Sequence, residues 1–137
     1  MAKAEFLRGI ARRKFLECAR VLENWYGTPR VPIENVLKAG RDVLLGIDIQ
    51  GARQIRRSGL PVTTVFLLPP SLKVLRARLE GRATETPAQI RARLRLARRE
   101  LKEVGKYDYA VVNDRLQDAV AAVEAIIRAQ RHRVRKK

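Results

Sequence analysis

Glu17, Tyr26 and Thr28 form one set of residues in the 137-residue chain whose types could hold a polar ligand. A carboxylate can accept hydrogen bonds from the N1–H and the amino group of a base such as guanine, and tyrosine and threonine hydroxyls can hold phosphate oxygens. Their spacing alone does not distinguish this set from ordinary polar residues.

Asp48 and Asn113 each end an apolar run that is typical of a strand. Carboxylates at the carboxyl ends of parallel strands lie where open α/β sheets bind ligands. For Asp48 the alternative is a turn former or a helix cap. For Asn113, whose amide could contact a base edge, the alternative is a turn.

Arg82 and Arg93 are the candidate cations for a transferred phosphate, because phosphoryl transfer requires neutralisation of the phosphate charge. Arg82 lies in the segment Gly81–Glu85, which interrupts two helical patterns. Arg93 lies on a different flank of the apolar stripe from the other cations of its helix, which share one arc. The alternative is an arginine whose stem covers the edge of the core while its head reaches water. The cations of the arc are Arg91, Arg95, Arg98, Arg99 and Lys102.

The elements that must position these residues alternate between helices and short apolar strands, which indicates an α/β fold with a parallel sheet covered on both faces. Ser71, Thr86 and Asp114 are expected to cap the helices that follow them. Asn24–Arg30, which contains a glycine and a proline, is expected to be a loop. Helices are predicted at Ala4–Arg13, Pro32–Gly40, Gly51–Arg57, Leu72–Glu80, from Pro87 to about Val104, and from about Arg115 past Ile127. Strands are predicted at Val43–Ile49, Val62–Leu68 and Tyr109–Val112, while Lys14–Val21 is β-like or mixed.

The net charge of +16 favours partners such as nucleotides, nucleic acid or acidic membrane. The alternative is an arginine-rich composition displayed on solvated helix faces. The adjacent Trp25 and Tyr26 could form a stacking platform for single-stranded nucleic acid. The single Cys18 excludes an internal disulfide, is expected to be a small buried hydrophobe, and favours a cytoplasmic location. No apolar run approaches the length of a membrane span, and a secretory signal is not expected.

Four segments taken together resemble the guanylate kinase family in order and spacing. The resemblance implies a P-loop-kinase-like fold and, for the family, transfer of a phosphoryl group from ATP to GMP with Mg²⁺. The segments are Phe15–Arg30 (FLECARVLENWYGTPR), Asp42–Gln54 (DVLLGIDIQGARQ), Val62–Arg93 and Tyr107–Asp114 (YDYAVVND).

The resemblance also assigns roles to matching positions. It implies that Glu17 recognises guanine, that Tyr26 and Thr28 bind the GMP phosphate, and that Asn113 approaches the adenine of ATP. It further implies that Arg82 and Arg93 act on the transferred phosphates and that Asp48 is an acidic residue near them. No metal-ligating residue is expected in this chain.

The sequence departs from the family pattern at several places. Gly46 stands where the family usually has an acidic residue that helps to hold guanine, and Ala83 replaces a lid glycine. No segment fits G-x-x-x-x-G-K-[ST], the Walker loop that cradles the ATP phosphates. The chain is therefore expected to be a partial domain that lacks the first strand and the phosphate loop. Its expected parts are a remnant of the GMP-binding lobe (1–30), a core (31–70 and 105–137) and a lid (71–104).

These departures predict an isolated chain with negligible activity, possible binding of GMP and doubtful binding of ATP. Removal of a central strand would leave exposed strand edges, or pair Val43–Asp48 directly with Val62–Leu68, so marginal stability, oligomers or a partner strand are expected. The alternatives are a non-catalytic protein-interaction module and a nucleic-acid-binding module that uses the basic surface and the tail Arg131–Lys137. No membrane association is expected.

Overall fold

The computed structural model describes residues 3–21, 24–82 and 85–134. Contacts divide the chain into two compact units, Met1–Val62 and Thr63–Lys137. The first unit holds α1 (Lys3–Ala11), β1 (Phe15–Val21), β2 (Asn24–Pro29), α2 (Arg30–Lys38) and α3 (Ile49–Arg56). The second holds β3 (Val65–Leu68), α4 (Leu72–Glu80), α5 (Pro87–Glu100), a 3-10 helix (Leu101–Lys106), β4 (Tyr109–Val112) and α6 (Leu116–Arg131).

The first unit is built around an antiparallel hairpin of β1 and β2. The loop expected over Asn24–Arg30 is wrong, because tertiary packing holds this segment extended. Phe6 of α1 contacts both Phe15 and Trp25, with ring centroids 4.7 and 5.9 Å apart. A β-carbon at Gly27 would lie 3.0 Å from the Phe6 ring, so this glycine allows the hairpin to approach α1 closely.

The segment predicted as the strand Val43–Ile49 forms no strand. Residues 41–48 are irregular, Leu44 is 79% exposed, and Ile49 already belongs to α3. A strand needs a ladder partner, and in the part of the first unit that the structure describes the ladder is that of β1 and β2. The expectation that Val43–Asp48 would present a strand edge or pair with Val62–Leu68 is therefore also wrong.

The second unit contains a parallel pair of strands, in which Val65 to Leu68 of β3 pair with Tyr109 to Val112 of β4. The parallel pairing agrees with the prediction, but the pair is not covered on both faces, since Leu67 and Val112 are exposed. Both strands lie at edges of this sheet within the described residues. The expected marginal stability or self-association stays a prediction.

The helices of the second unit begin largely where their capping signals stand. Ser71 accepts a hydrogen bond from the Val74 N–H, and Thr86 forms a capping box with Gln89. The predicted cap at Asp114 is wrong: Arg115 is the N-cap of α6 and makes no side-chain cap bond. No helix among residues 3–21, 24–82 and 85–134 has the length and apolar character needed to cross a membrane.

Candidate functional site

Glu17 and Thr28 form the centre of the candidate site in the first unit. They are opposite each other in the hairpin register, and the Thr28 hydroxyl donates to Oε1 of Glu17 over 2.6 Å. Glu17 is 4% exposed, so its carboxylate is held in a largely dehydrated position. Burial of a carboxylate is costly without hydrogen-bond partners, so the Thr28 hydroxyl offsets part of the cost of burying Glu17.

The first turn of α3 approaches the same carboxylate. A β-carbon at Gly51 would lie 2.6 Å from Oε2 of Glu17, so the turn can pass this close because residue 51 has no side chain. The partial positive charge at the helix N-terminus favours an anion there. Sequence reasoning treated Gly51 as a helix opener and missed this contact, which depends on packing between segments far apart in the chain.

Asp48 is the N-cap of α3. Its Oδ1 accepts from the Gly51 N–H at 2.9 Å, and its Oδ2 accepts from Nε2 of Gln50 at 3.0 Å. Asp48 is therefore a helix cap, which was the alternative interpretation of this residue. Asp48 and Glu17 thus both approach the first turn of α3 at Gly51.

Two glutamines that sequence reasoning did not single out pair with the backbone of β1. Oε1 of Gln54 accepts from the Cys18 N–H at 3.1 Å, and its Nε2 donates to the Cys18 carbonyl at 2.6 Å. Gln50 donates from Nε2 to the Arg20 carbonyl at 3.1 Å. The signal that could have revealed them is their separation of four residues, which places both amides on one face of α3.

Tyr26 lies on the same face of the hairpin as Glu17 and Thr28, because residues opposite one another share a face and Tyr26 pairs with Ala19. Its side chain is 55% exposed and therefore accessible to a ligand. Trp25 points to the other face, where it packs on Phe6. The adjacent Trp25 and Tyr26 therefore do not form one stacking platform, contrary to the possibility raised by their sequence.

Cys18 is half-buried beside this site. Burial, and to a smaller extent the charge of Glu17, raise the pKa of the Cys18 thiol above its usual value. The thiol therefore stays protonated at neutral pH. The expectation of a small buried hydrophobe is met only in part, because the side chain is half-buried.

Arg93 of the second unit is paired with a carboxylate. Its Nε lies 2.5 Å from Oε1 of Glu85, whose side chain is 13% exposed and whose Oε2 has no hydrogen-bond partner. Arg93 itself is partly exposed, as expected for an arginine on the flank of the apolar stripe. Any phosphate that reaches Arg93 must compete with Glu85 for the guanidinium.

Arg82 and Asn113 occupy loop positions that follow regular elements. Arg82 is exposed just after Gly81, the C-cap of α4, and precedes Ala83, which lies outside the described residues. Asn113 follows β4, and its carbonyl accepts from Nη1 of Arg78 at 2.7 Å. Arg78 also donates to the Asp114 carbonyl at 2.9 Å and so fixes the end of β4. Sequence reasoning did not identify Arg78.

The described residues form no metal site made of protein side chains alone. Among them, no three His, Cys, Asp or Glu side chains cluster in a way that could hold a metal ion. One carboxylate oxygen of Glu17 is held by Thr28. Both carboxylate oxygens of Asp48 are held by residues of α3.

Comparisons with known proteins identify the family of this chain. The family model for guanylate kinase matches residues 1–130. The chain belongs to the guanylate kinase family. It is 43% identical over 134 residues to the guanylate kinase of Clostridium perfringens and 47% identical over 125 residues to that of Dechloromonas aromatica. These alignments cover 98% and 91% of this chain, and 62% of each relative.

The crystal structure of guanylate kinase from Anaplasma phagocytophilum matches with a TM-score of 0.83 at 31% identity. That match covers 98% of this chain and 65% of the crystallised chain. The α/β fold of this guanylate kinase family member is thereby established, as the sequence predicted. The chain spans less than two thirds of the length of these relatives.

Proposed function

We propose that this chain carries the GMP-binding residues and the lid residues of a guanylate kinase. The observation that carries the proposal is the buried Glu17 carboxylate held by Thr28 beside the first turn of α3. Glu17 would accept from the N1–H and amino group of guanine while Thr28 holds its Oε1, and Tyr26 would hold the phosphate. Asp48 would contribute negative charge near the same ligand.

In the second unit, Arg82 and Arg93 would stabilise the charge of the transferred phosphoryl group, and Asn113 would approach the adenine of ATP. No Walker loop is encoded in these 137 residues, and the described residues hold no metal cluster. We therefore expect the chain by itself to bind GMP, to bind ATP poorly and to transfer phosphoryl groups at a negligible rate. The single Cys18 is in keeping with a cytoplasmic location.

Titration calorimetry with GMP tests this proposal, and Glu17→Gln is the decisive variant. We expect wild-type protein to bind GMP and Glu17→Gln to bind it at least tenfold more weakly, because the amide replaces an acceptor with a donor. Glu5→Gln, an exposed position on α1, is the matched control and should leave the affinity unchanged. Absence of GMP binding by wild-type protein would overturn the proposal. A coupled assay with ATP and Mg²⁺ should show no turnover.

A second candidate function is binding of nucleic acid through the basic face of α5. This face is exposed, and no ion pair neutralises its cations within the described part of the chain. Its spacing of three to four residues produces a stripe along the helix, which suits a row of phosphates. The stripe consists of Arg91, Arg95, Arg98, Arg99 and Lys102. The tail Arg131–Lys137, also expected to contribute, lies partly outside the described residues.

The salt dependence of binding to a labelled single-stranded oligonucleotide tests the second candidate. Arg95→Gln with Arg98→Gln should lower the affinity and reduce the slope of log K against log salt, since each lost phosphate contact reduces it by about 0.7. Arg8→Gln with Arg12→Gln, exposed on or next to α1, removes the same charge from the first unit and is the control. Equal effects of the two pairs would attribute the binding to net charge and overturn a specific role for α5.

A further inference from the structure

The edge of β1 that β2 does not cover is paired with side chains rather than with a strand. A strand residue in this position would donate one backbone hydrogen bond and accept another. The Gln54 amide does both toward Cys18, with its oxygen accepting at 3.1 Å and its nitrogen donating at 2.6 Å. The Arg20 carbonyl is the next acceptor along this edge of β1, and Gln50 donates to it. The two glutamines therefore act as a substitute strand, which we call the glutamine clamp.

The clamp fixes the position of α3 along β1. Residues four apart on a helix are separated by about 6 Å along its axis. Residues two apart on a strand are separated by about 6.7 Å. Gln50 and Gln54 therefore match Arg20 and Cys18 closely, and a shift of α3 by one strand residue would leave the amides facing the wrong edge of β1.

This register determines where Glu17 lies. Glu17 immediately precedes the clamped residue Cys18, and its carboxylate lies against Gly51 on the first turn of α3. Asp48 caps the same turn. The two carboxylates are thus on different segments, β1 and α3, and their separation is set by whatever ties those segments together. The bond from Gln54 to the Cys18 carbonyl, at 2.6 Å, ties α3 to β1 next to Glu17.

We propose that Gln54 is a positioning residue that fixes the Glu17 carboxylate relative to Asp48 and thereby sets selectivity for guanine. This inference rests on the proposed function. Gln54 touches no ligand; it acts through the backbone of Cys18. A carboxylate that recognises both the N1–H and the amino group of guanine loses one of the two hydrogen bonds when it is displaced by about 1 Å, whereas a single hydrogen bond to N1–H tolerates displacement better.

The experiment compares GMP with IMP, which keeps N1–H but lacks the amino group. Wild-type protein, Gln54→Leu and Gln54→Glu are titrated with both nucleotides, and Gln117→Leu on the exposed face of α6 is the matched control. Gln54→Leu removes both hydrogen bonds of the amide at similar volume. Gln54→Glu keeps the acceptor toward the Cys18 N–H but loses the donor, so it disturbs packing less and remains informative if Gln54→Leu folds poorly. Circular dichroism establishes the folded fraction of each.

We expect Gln54→Leu to weaken the binding of GMP at least tenfold and the binding of IMP by no more than threefold, so that the preference for GMP falls. Binding by Gln54→Glu should fall between that of wild type and that of Gln54→Leu. The Cys18 amide should exchange with solvent faster in Gln54→Leu, because that variant removes the acceptor of the Cys18 N–H, and should stay close to wild type in Gln54→Glu. Simple loss of folded protein would reduce the binding of both nucleotides equally. An unchanged GMP to IMP ratio in the variants, with wild-type protein binding GMP, overturns the inference and leaves the proposed function intact. Failure of wild-type protein to bind GMP overturns both.

Discussion

Oε2 of Glu17 lies 2.6 Å from the point where a β-carbon at Gly51 would stand. Such a distance is far inside van der Waals contact, so any side chain at residue 51 would displace either the carboxylate or the helix. The candidate site therefore depends on the absence of a side chain at Gly51 as much as on the presence of Glu17.

Gly51→Ala is expected to weaken GMP binding at least tenfold and to lower the free energy of unfolding by about 1–3 kcal/mol. The loss should appear even though alanine favours a helix by about 1 kcal/mol over glycine. Calorimetry and urea unfolding measure the two effects. Gly105→Ala, where nothing lies within 4 Å of the added carbon, is the control and should not destabilise the protein. A stabilised Gly51→Ala variant with full GMP affinity would contradict the close approach.

Gly46→Asp is expected to strengthen GMP binding severalfold. The family resemblance implies an acidic residue at this position near guanine, and the structure has room for one, since nothing lies within 4 Å of an added β-carbon. One additional charge-assisted hydrogen bond contributes about 1.5–3 kcal/mol at most. Gly105→Asp adds the same charge in the second unit and is the matched control. If both variants change GMP affinity equally, the effect is one of net charge and not of a guanine contact.

The elements that the sequence predicted well are those whose signals are local. Ser71, Thr86 and Pro87 mark helix starts that the structure reproduces, because a cap is determined by residues within one turn. The hairpin strand β2 was missed because Gly27 and Pro29 are turn residues by local preference, and packing on Phe6 overrides that preference. The strand prediction for Val43–Ile49 was wrong for the opposite reason. Its apolar run satisfies strand propensity but has no ladder partner in the described structure.

The candidate site shows the same division. The polar residues Glu17, Tyr26 and Thr28 could be proposed from their type and from a family resemblance, and the hairpin register explains why they share a face. The residues that hold them in place, Gly51 and Gln54, act across more than thirty positions of sequence. No local pattern records such a contact, so only the folded chain reveals it.

Arg93→Leu is expected to destabilise the second unit by about 1–3 kcal/mol, because it leaves the Glu85 carboxylate largely buried without its charged partner. Adding Glu85→Gln should recover most of the loss, since the orphaned charge is then removed. Arg95→Leu on the exposed face of α5 is the control and should change the unfolding free energy by less than about 0.5 kcal/mol. Urea unfolding followed by circular dichroism decides, and equal losses in Arg93→Leu and Arg95→Leu would rule out the pairing.

Thr64→Val is expected to lower the unfolding free energy by about 1–2 kcal/mol. Thr64 joins β3 to the start of β4 through Asp108: its N–H and hydroxyl each donate to Oδ2 of Asp108 over 2.7 Å, and its hydroxyl accepts from the Asp108 N–H at 3.0 Å. Valine keeps the shape and the strand propensity but removes the hydroxyl bonds. Thr63→Val, one residue earlier and exposed, is the matched control and should be neutral. Comparable losses at the two positions would show that the Asp108 contact contributes nothing.

Alkylation of Cys18 is expected to be slow at neutral pH, with its rate rising at a higher pH than in urea-unfolded protein, because the thiol pKa is raised in the folded state. Burial is the larger cause and Glu17 the smaller, so Glu17→Gln should lower the pKa of the thiol only part of the way toward its unfolded value.

The raised pKa of the Cys18 thiol also affects the stability of the fold. The unfolded chain releases the thiol proton first as pH rises, so this contribution is complete below the unfolded pKa and is lost as pH rises through the folded pKa. Iodoacetamide rates measured from neutral to alkaline pH test the raised pKa of the thiol and the contribution of Glu17 to it, and urea unfolding over the same pH range tests the effect on stability. A Glu17→Gln rate profile that coincides with wild type would show that the two groups do not interact.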